Sequence, residues 1–406
     1  MKKAIYWIFI LSILGSLAAC NQFPFSAPTP ASKATIEPSV TSAPTATPEP
    51  TATVEPAATE TETATATPSY PPEGYGPTGF LEEVNPLTGL KVEDPNLLDR
   101  RPILIKVENL PRKDRPQYGL SKADIVYEYY TEQGSTRFSA LYYGQDAEQV
   151  MPIRSARFID MNFIRMYKSI FVFGSAYYLL YDRLFSSDFS KRLIIEYRDA
   201  CPAVCRFDPG GKNFLYADTA ALQNYIAQRG IDNSRQNLDG MFFKLESPEG
   251  GQPAEQVFTR FSGAVYNRWD YDPVSGKYLR FAETENDLSG DNPQYAQLTD
   301  ELTKQPIAAD NVVVIFARHS KIDPRADVEV LDVAMLGAGP AYIARDGQLY
   351  QVQWSRMGED QVLTLVDENG NPFPFKPGQT WVEVMALNSL FQQDGNAATF
   401  RFVSDW

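Results

Sequence analysis

The chain has 406 residues, with 37 Lys and Arg against 51 Asp and Glu, a formal net charge of -14. A surface that acidic excludes nucleic-acid or anionic-lipid binding by bulk electrostatics, so any anion site has to be local. One histidine and three cysteines make a Ser-His-Asp triad improbable and leave little to build a metal centre from.

Lys2 and Lys3 precede an apolar run from Ala4 to Leu14, and Leu17-Ala18-Ala19-Cys20 closes it with small residues before a cysteine. The run is short for a membrane span, and a positive start with a small-residue cleavage site describes a secretory signal peptide over residues 1–20. The closing tetrapeptide resembles a bacterial lipobox, which implies that Cys20 receives a lipid and becomes the mature N-terminus. The expected location is the extracytoplasmic face of a cell membrane, held by that lipid. Without Lys2 and Lys3 the chain keeps 35 basic residues against 51 acidic, a formal charge of -16.

Residues 21–75 are mostly Pro, Thr, Ala and Glu, as in "TPEPTATVEPAATETETATATP". Too little apolar surface is present to repay the entropy of ordering, so this stretch reads as a disordered tether. It would reach roughly 170 Å if fully extended at ~3.1 Å per residue.

Two domains are expected beyond it, 76–238 and 239–406. In the first, "RPILIKVEN" (residues 101–109) is a strand, and "DIVYEYYTE" and "TRFSALYYG" form a hairpin around Gln133-Gly134-Ser135. Ser155 is a predicted N-cap for a buried helix over residues 156–167. "SIFVFGSAYYLLYDRLF" reads as a short strand, Gly174-Ser175, and a helix. "DTAALQNYIAQRG" is the clearest helix, capped by Asp218 and stopped by Gly230. From about Met241 onward the signals are strands alone, from "MFFKLE" to "ATFRFVS", with turns at Asp346-Gly347 and Asn369-Gly370. The whole is α+β: a mixed α/β N-terminal part and a mostly antiparallel β C-terminal part.

Five motifs in order, "NPLTGL", "RPILIKVEN", "DRPQYGLSKADIVYE", "GSTRF" and "MPIRSAR", resemble those of the YerB-like lipoproteins. The second half is similar to that family's C-terminal domain in "NRWDYDPVSGKYLRF", "ADNVVVIF", "DGQLYQVQW" and "GQTWVEV". The resemblance implies a layered β-β-α sandwich-like fold and no known reaction. Lys212, in "GGKNFLYAD", stands where the family pattern has a histidine; beside Asn213 it remains a donor for an anion.

"MPIRSAR" puts Arg154 and Arg157 three residues apart, and residues 151–170 carry Arg154, Arg157, Arg165 and Lys168 against Asp160 alone, a local +3. Near a helix start, guanidinium groups and unpaired N–H groups make an anion site, joined by Arg137, Ser155 and Ser175. The competing reading is an internal network on Glu128, Glu132 or Asp160.

Glu128 with Glu132 or Asp160 is a weak candidate acid/base pair for an envelope glycan or peptide hydrolase. His319 reads as a solvated loop residue. "DYDPVSGKY" departs from a calcium loop at Val274 and at its late glycine, so it reads as a hairpin turn. No metal or cofactor is expected. Cys201 and Cys205, in "CPAVC", are a candidate disulfide, reduced buried thiols being the alternative. The function expected is non-catalytic binding of an anionic envelope polymer or an envelope protein.

Overall fold

The structure is a computed structural model describing residues 70–406, apart from 72, 198, 209–213, 326–328 and 405. The expected leader, Cys20, nearly all of the tether, and Lys212 and Asn213 lie outside the described residues. Among those described, no helix is long and apolar enough to cross a membrane.

The first half supplies β1 (Ile103–Glu108), β2 (Ile125–Tyr130), β3 (Thr136–Tyr142), β4 (Ile170–Val172) and β5 (Leu193–Ile194). It also supplies, among the described residues, three α-helices: α1 (Asp160–Met166), α2 (Tyr178–Phe185) and α3 (Thr219–Gln228). β2 and β3 form the predicted hairpin, turning through Gln133 and Gly134, both at positive φ. α3 starts where expected, the Asp218 carboxylate accepting from the N–H groups of Ala220 and Ala221, and Gly230 just beyond its end has φ 61°. Later elements are strands, so the α+β reading holds. Two local expectations fail. "MFFKLE" contributes only isolated bridges at Asp239–Met241 and through Phe243, and of the pair Asn369-Gly370 only the glycine has positive φ.

The main sheet runs Thr364–Val366, Gln348–Arg356, Gly337–Arg345, Asn311–Ala317, Thr380–Ala386, β2, β3, β1, β4, β5. Strands from both halves therefore share one sheet, joined where β2 lies parallel to Thr380–Ala386. The described residues from Tyr70 onward belong to one compact unit. A second sheet is built from Gln256–Arg260, Tyr266–Asp272, Lys277–Glu283, Leu390–Asp394 and Ala397–Arg401, with shorter strands at its margin.

Alternation along the strands sorts the core into two clusters. Ile105, Val126, Phe138 and Trp381 of the main sheet pack in one cluster with Trp269 and Tyr278 of the second sheet and with α3's Leu222 and Ile226. Leu104, Tyr127, Tyr129 and Leu141 face Phe163 and Ile164 of α1 and Leu180 and Leu184 of α2. Each such fully buried large side chain contributes about 1.5–3 kcal/mol.

α1 is shorter than predicted. Residues 153–156 are held extended instead: Ile153 bridges Val107, the Ala156 N–H donates to Ser175 O, and the Gly174 N–H donates to Arg154 O. Ser155 therefore caps nothing; its hydroxyl meets that of Ser175 at 2.7 Å.

Candidate functional site: a cleft at the carboxyl ends of parallel strands

β3 is antiparallel to both β1 and β2, so those two run the same way, as do β4, Thr380–Ala386 and Asn311–Ala317. Their carboxyl ends lie along one edge of the sheet, where open α/β sheets characteristically place ligands. A cleft of about 440 Å³ opens there. Its walls are Glu132 and Gln133 after β2, residues 155–158, residues 175–177 after β4, and Glu329–Leu331. The sequence candidates Ser155, Arg157, Ser175 and Glu132 meet in it; Arg154 and Arg137 stand outside its lining.

Both arginines of "MPIRSAR" are engaged. Arg154 forks onto Glu108, Nε to Oε1 at 2.5 Å and Nη2 to Oε2 at 2.6 Å, with Asp114 at 3.4 Å. Arg157 forks onto Glu132, Nε to Oε2 at 2.6 Å with Nη2 on Oε1, and its Nη1 donates to the carbonyls of Ser155 and Ala156. These geometries match the internal-network reading, with Glu132 as one of its foreseen partners. Glu128 and Asp160 bind neither guanidinium; Asp160 takes the Arg157 backbone N–H at 2.6 Å. Arg137 donates to Leu110 O at 3.2 Å, and burial together with the charge of Arg157 lowers its pKa to about 10. Burial opposes the charge on Glu132, but the Arg157 fork outweighs it and holds the carboxyl below its ordinary range.

The carboxylates named as candidate acids and bases are closed off. Glu128 is fully buried in a central strand, accepting from Asn109 at 3.0 Å, Thr136 at 2.7 Å and Arg280 at 2.5 Å. Asp160 is also fully buried, accepting from Tyr129 at 2.5 Å and Ser139 at 2.7 Å, with Lys106 at 3.4 Å. Burial, only partly offset by Asp160, brings Lys106 down to about 7. Glu132 reaches the cleft but has both oxygens on Arg157. The geometry gives the hydrolase reading no exposed acid/base pair.

His319 is not a solvated residue: it is buried, 1% exposed, with its ring 5.5 Å from Phe402 and 5.7 Å from Trp406. Cys201 and Cys205 form a disulfide. Asp272 closes the "DYDPVSGKY" hairpin turn by accepting from Val274 and Ser275. Among the described residues no group of three or more His, Cys, Asp and Glu could hold a metal.

Two cleft residues escaped the sequence reading. Glu329 accepts from Tyr130 Oη at 2.9 Å and from the Gln133 N–H. Tyr177 donates to Asp323 at 2.7 Å and pairs with Arg325. Glu329 lies in a charged loop with no local pattern to mark it, and Tyr177 sits in a run of tyrosines that reads equally well as core.

Residues 87–232 match the N-terminal domain, and residues 257–382 the C-terminal domain, of the family described as "Protein of unknown function (DUF3048)". The chain is 28% identical over 314 residues to the Bacillus subtilis (strain 168) protein named "Putative lipoprotein YerB", covering 74% of this chain and 85% of that one. The crystal structure of the YerB protein from Bacillus subtilis superposes with a TM-score of 0.60 at 26% identity, over 74% of this chain and 96% of that one.

Proposed function

Because the chain belongs to the YerB-like family, we propose that it is a lipid-anchored protein of the extracytoplasmic face that binds a polar component of the cell envelope, without catalysis. The reading draws on the Lys2-Lys3 leader ending at Cys20, the Pro/Thr tether and the lipoprotein name carried by the relative. The layered β-β-α arrangement belongs to the same proposal; the division of the core between the second sheet and helices α1 and α2 favours it.

The observation that carries the binding role is the cleft. It sits at the carboxyl ends of co-directional strands, and its wall includes a half-buried Ser155 hydrogen-bonded to an exposed Ser175, beside an arginine whose charge is neutralised. Its polar groups can exchange hydrogen bonds with a ligand, while the engaged guanidinium no longer favours a free anion. The test is co-sedimentation of the full-length chain with purified envelope from its own cells, comparing wild type with Ser175→Trp, which fills the cleft from an exposed position. Loss of retention with an unchanged melting temperature supports the site; equal retention removes it.

A further inference from the structure

We propose that the ligand of this cleft is an uncharged glycan, an inference that rests on the binding role just given. Charge is the first ground. Among the lining residues only Glu132, Glu329 and Arg157 carry formal charge, and Arg157 is spent on Glu132, so the wall is locally acidic. A phosphate-rich polymer would meet a net negative lining on a protein that is itself acidic, and the one guanidinium among the lining residues is already engaged by Glu132.

Aromatic placement is the second. Tyr177 lines the cleft, its ring 4.6 Å from that of Tyr178, and Tyr178 and Tyr181 stand one turn apart on α2, 59% and 38% exposed. Tyrosines left at a surface offer flat apolar faces with a polar tip, which suits the mixed C–H and hydroxyl faces of a sugar ring. The Tyr177 hydroxyl is held by Asp323 and Arg325, which fixes its ring at the rim.

Hydrogen-bond capacity is the third. A sugar hydroxyl both donates and accepts, and so do the hydroxyls of Ser155 and Ser175; Gln133 adds an exposed side-chain amide, and Glu329 a carboxylate that accepts from Tyr130 and Gln133 through Oε2. The cleft volume of about 440 Å³ falls within the ~300–1,000 Å³ range of small-ligand sites.

The experiment titrates the full-length chain in detergent micelles with chitotetraose, cellotetraose and maltotetraose, and separately with poly(glycerol phosphate) and tetra-alanine, following intrinsic fluorescence. The expected result is saturable binding of at least one neutral tetrasaccharide, weakened at least tenfold in the double variant Tyr178→Ala, Tyr181→Ala. Its melting temperature is measured alongside, since Tyr181 also packs 4.5 Å from Phe185, and Tyr178→Ala alone, at a ring 59% exposed, keeps the comparison if the double variant is destabilised. Binding of the phosphate polymer or the peptide in place of every tetrasaccharide overturns the glycan class, and so does tetrasaccharide binding unchanged in the double variant. Envelope retention that depends on Ser175 while no tetrasaccharide binds refutes the glycan and leaves the binding role standing; retention independent of Ser175 refutes the binding role itself.

Discussion

Arg280 and Glu128 meet through a 2.5 Å hydrogen bond between the two large sheets, each essentially without exposure to water. Glu383, the neighbour of Glu128 across the parallel pairing, takes the other arm of the same guanidinium at 3.1 Å. Trp381 and Trp269 flank that guanidinium, with ring centroids 4.5 and 5.0 Å away. Two carboxylates share one cation, so burial and the charge of Glu128 raise Glu383 to about 8. Replacing Arg280 by Met leaves Glu128 as an uncompensated buried charge and is expected to cost about 3–5 kcal/mol in urea unfolding. Glu383→Gln, which mimics the protonated form, is expected to cost less than about 1 kcal/mol at pH 7. Equal losses for the two variants would contradict this division of roles.

Stability is expected to peak near pH 5. Glu108 rises to about 7 and Asp124 to about 6, burial being the main cause in each and Arg154 and backbone N–H groups only partial offsets. With Glu383, these groups hold more protons folded than unfolded. Their stabilising contribution is full below the ordinary carboxylate range and is lost as pH rises through about 6 to 8. Lys106 acts in the opposite sense: its folded pKa of about 7 lies below the ordinary 10.5, so its penalty is complete below 7 and fades above it. Glu132 and Asp346 are held low by Arg157 and Lys376 against the opposing effect of burial, and their contribution disappears as pH falls below the carboxylate range. Thermal melts from pH 3 to 9 check the profile, and Glu383→Gln is expected to flatten its upper limb. A curve still rising from pH 5 to 7 would be the wrong sign.

Arg154 and Arg157 are expected to separate in their effects. Arg154→Ala strands the buried Glu108 carboxylate and costs about 3 kcal/mol by chemical denaturation. Arg157 and Glu132 are 22% and 30% exposed, so Arg157→Ala costs about 1 kcal/mol. It also unties Glu132 in the cleft wall, and retention on purified envelope is expected to fall. A folded Arg157→Ala protein retained like wild type would assign that pair to structure alone.

Removing the Cys201–Cys205 bridge by paired Ser substitutions is expected to cost about 2 kcal/mol, the loop being only a few residues long. Intact mass of the alkylated full-length chain, with and without reductant, checks that the bridge forms in cells. Complete alkylation before reduction would show free thiols instead.

Most strands and α3 were legible because their signals are local. Alternation, the Gly134 turn and the Asp218 cap act over a few residues, and the chain folds as they direct. α1 was misjudged at its start because "RSAR" has helical company in sequence but strand partners in space. Ser175 and Gly174 take the backbone groups of Ala156 and Arg154 that a helix would have used. His319 was misjudged because its burial comes from Phe402 and Trp406, more than eighty residues away. The two-domain division at 238/239 lies between the two family segments, yet one sheet runs through both halves.

By itself the sequence determined the α+β alternation and the family, and it offered an internal ion network that included Glu132 as one of two readings of Arg154 and Arg157. Those conclusions rest on composition, periodicity and ordered motifs, which are properties of neighbours along the chain. Only the tertiary structure decided which carboxylate each arginine holds. It paired Glu108 with Arg154, Glu132 with Arg157, and Glu128 with Arg280, 152 residues away. The physical reason is that a buried charge takes whichever opposite charge the sheet register and the packing of the second sheet bring within about 3 Å. That same register gathers Ser155, Ser175 and Tyr177 with Glu132 and Glu329, drawn from separate stretches of the chain, into one cleft.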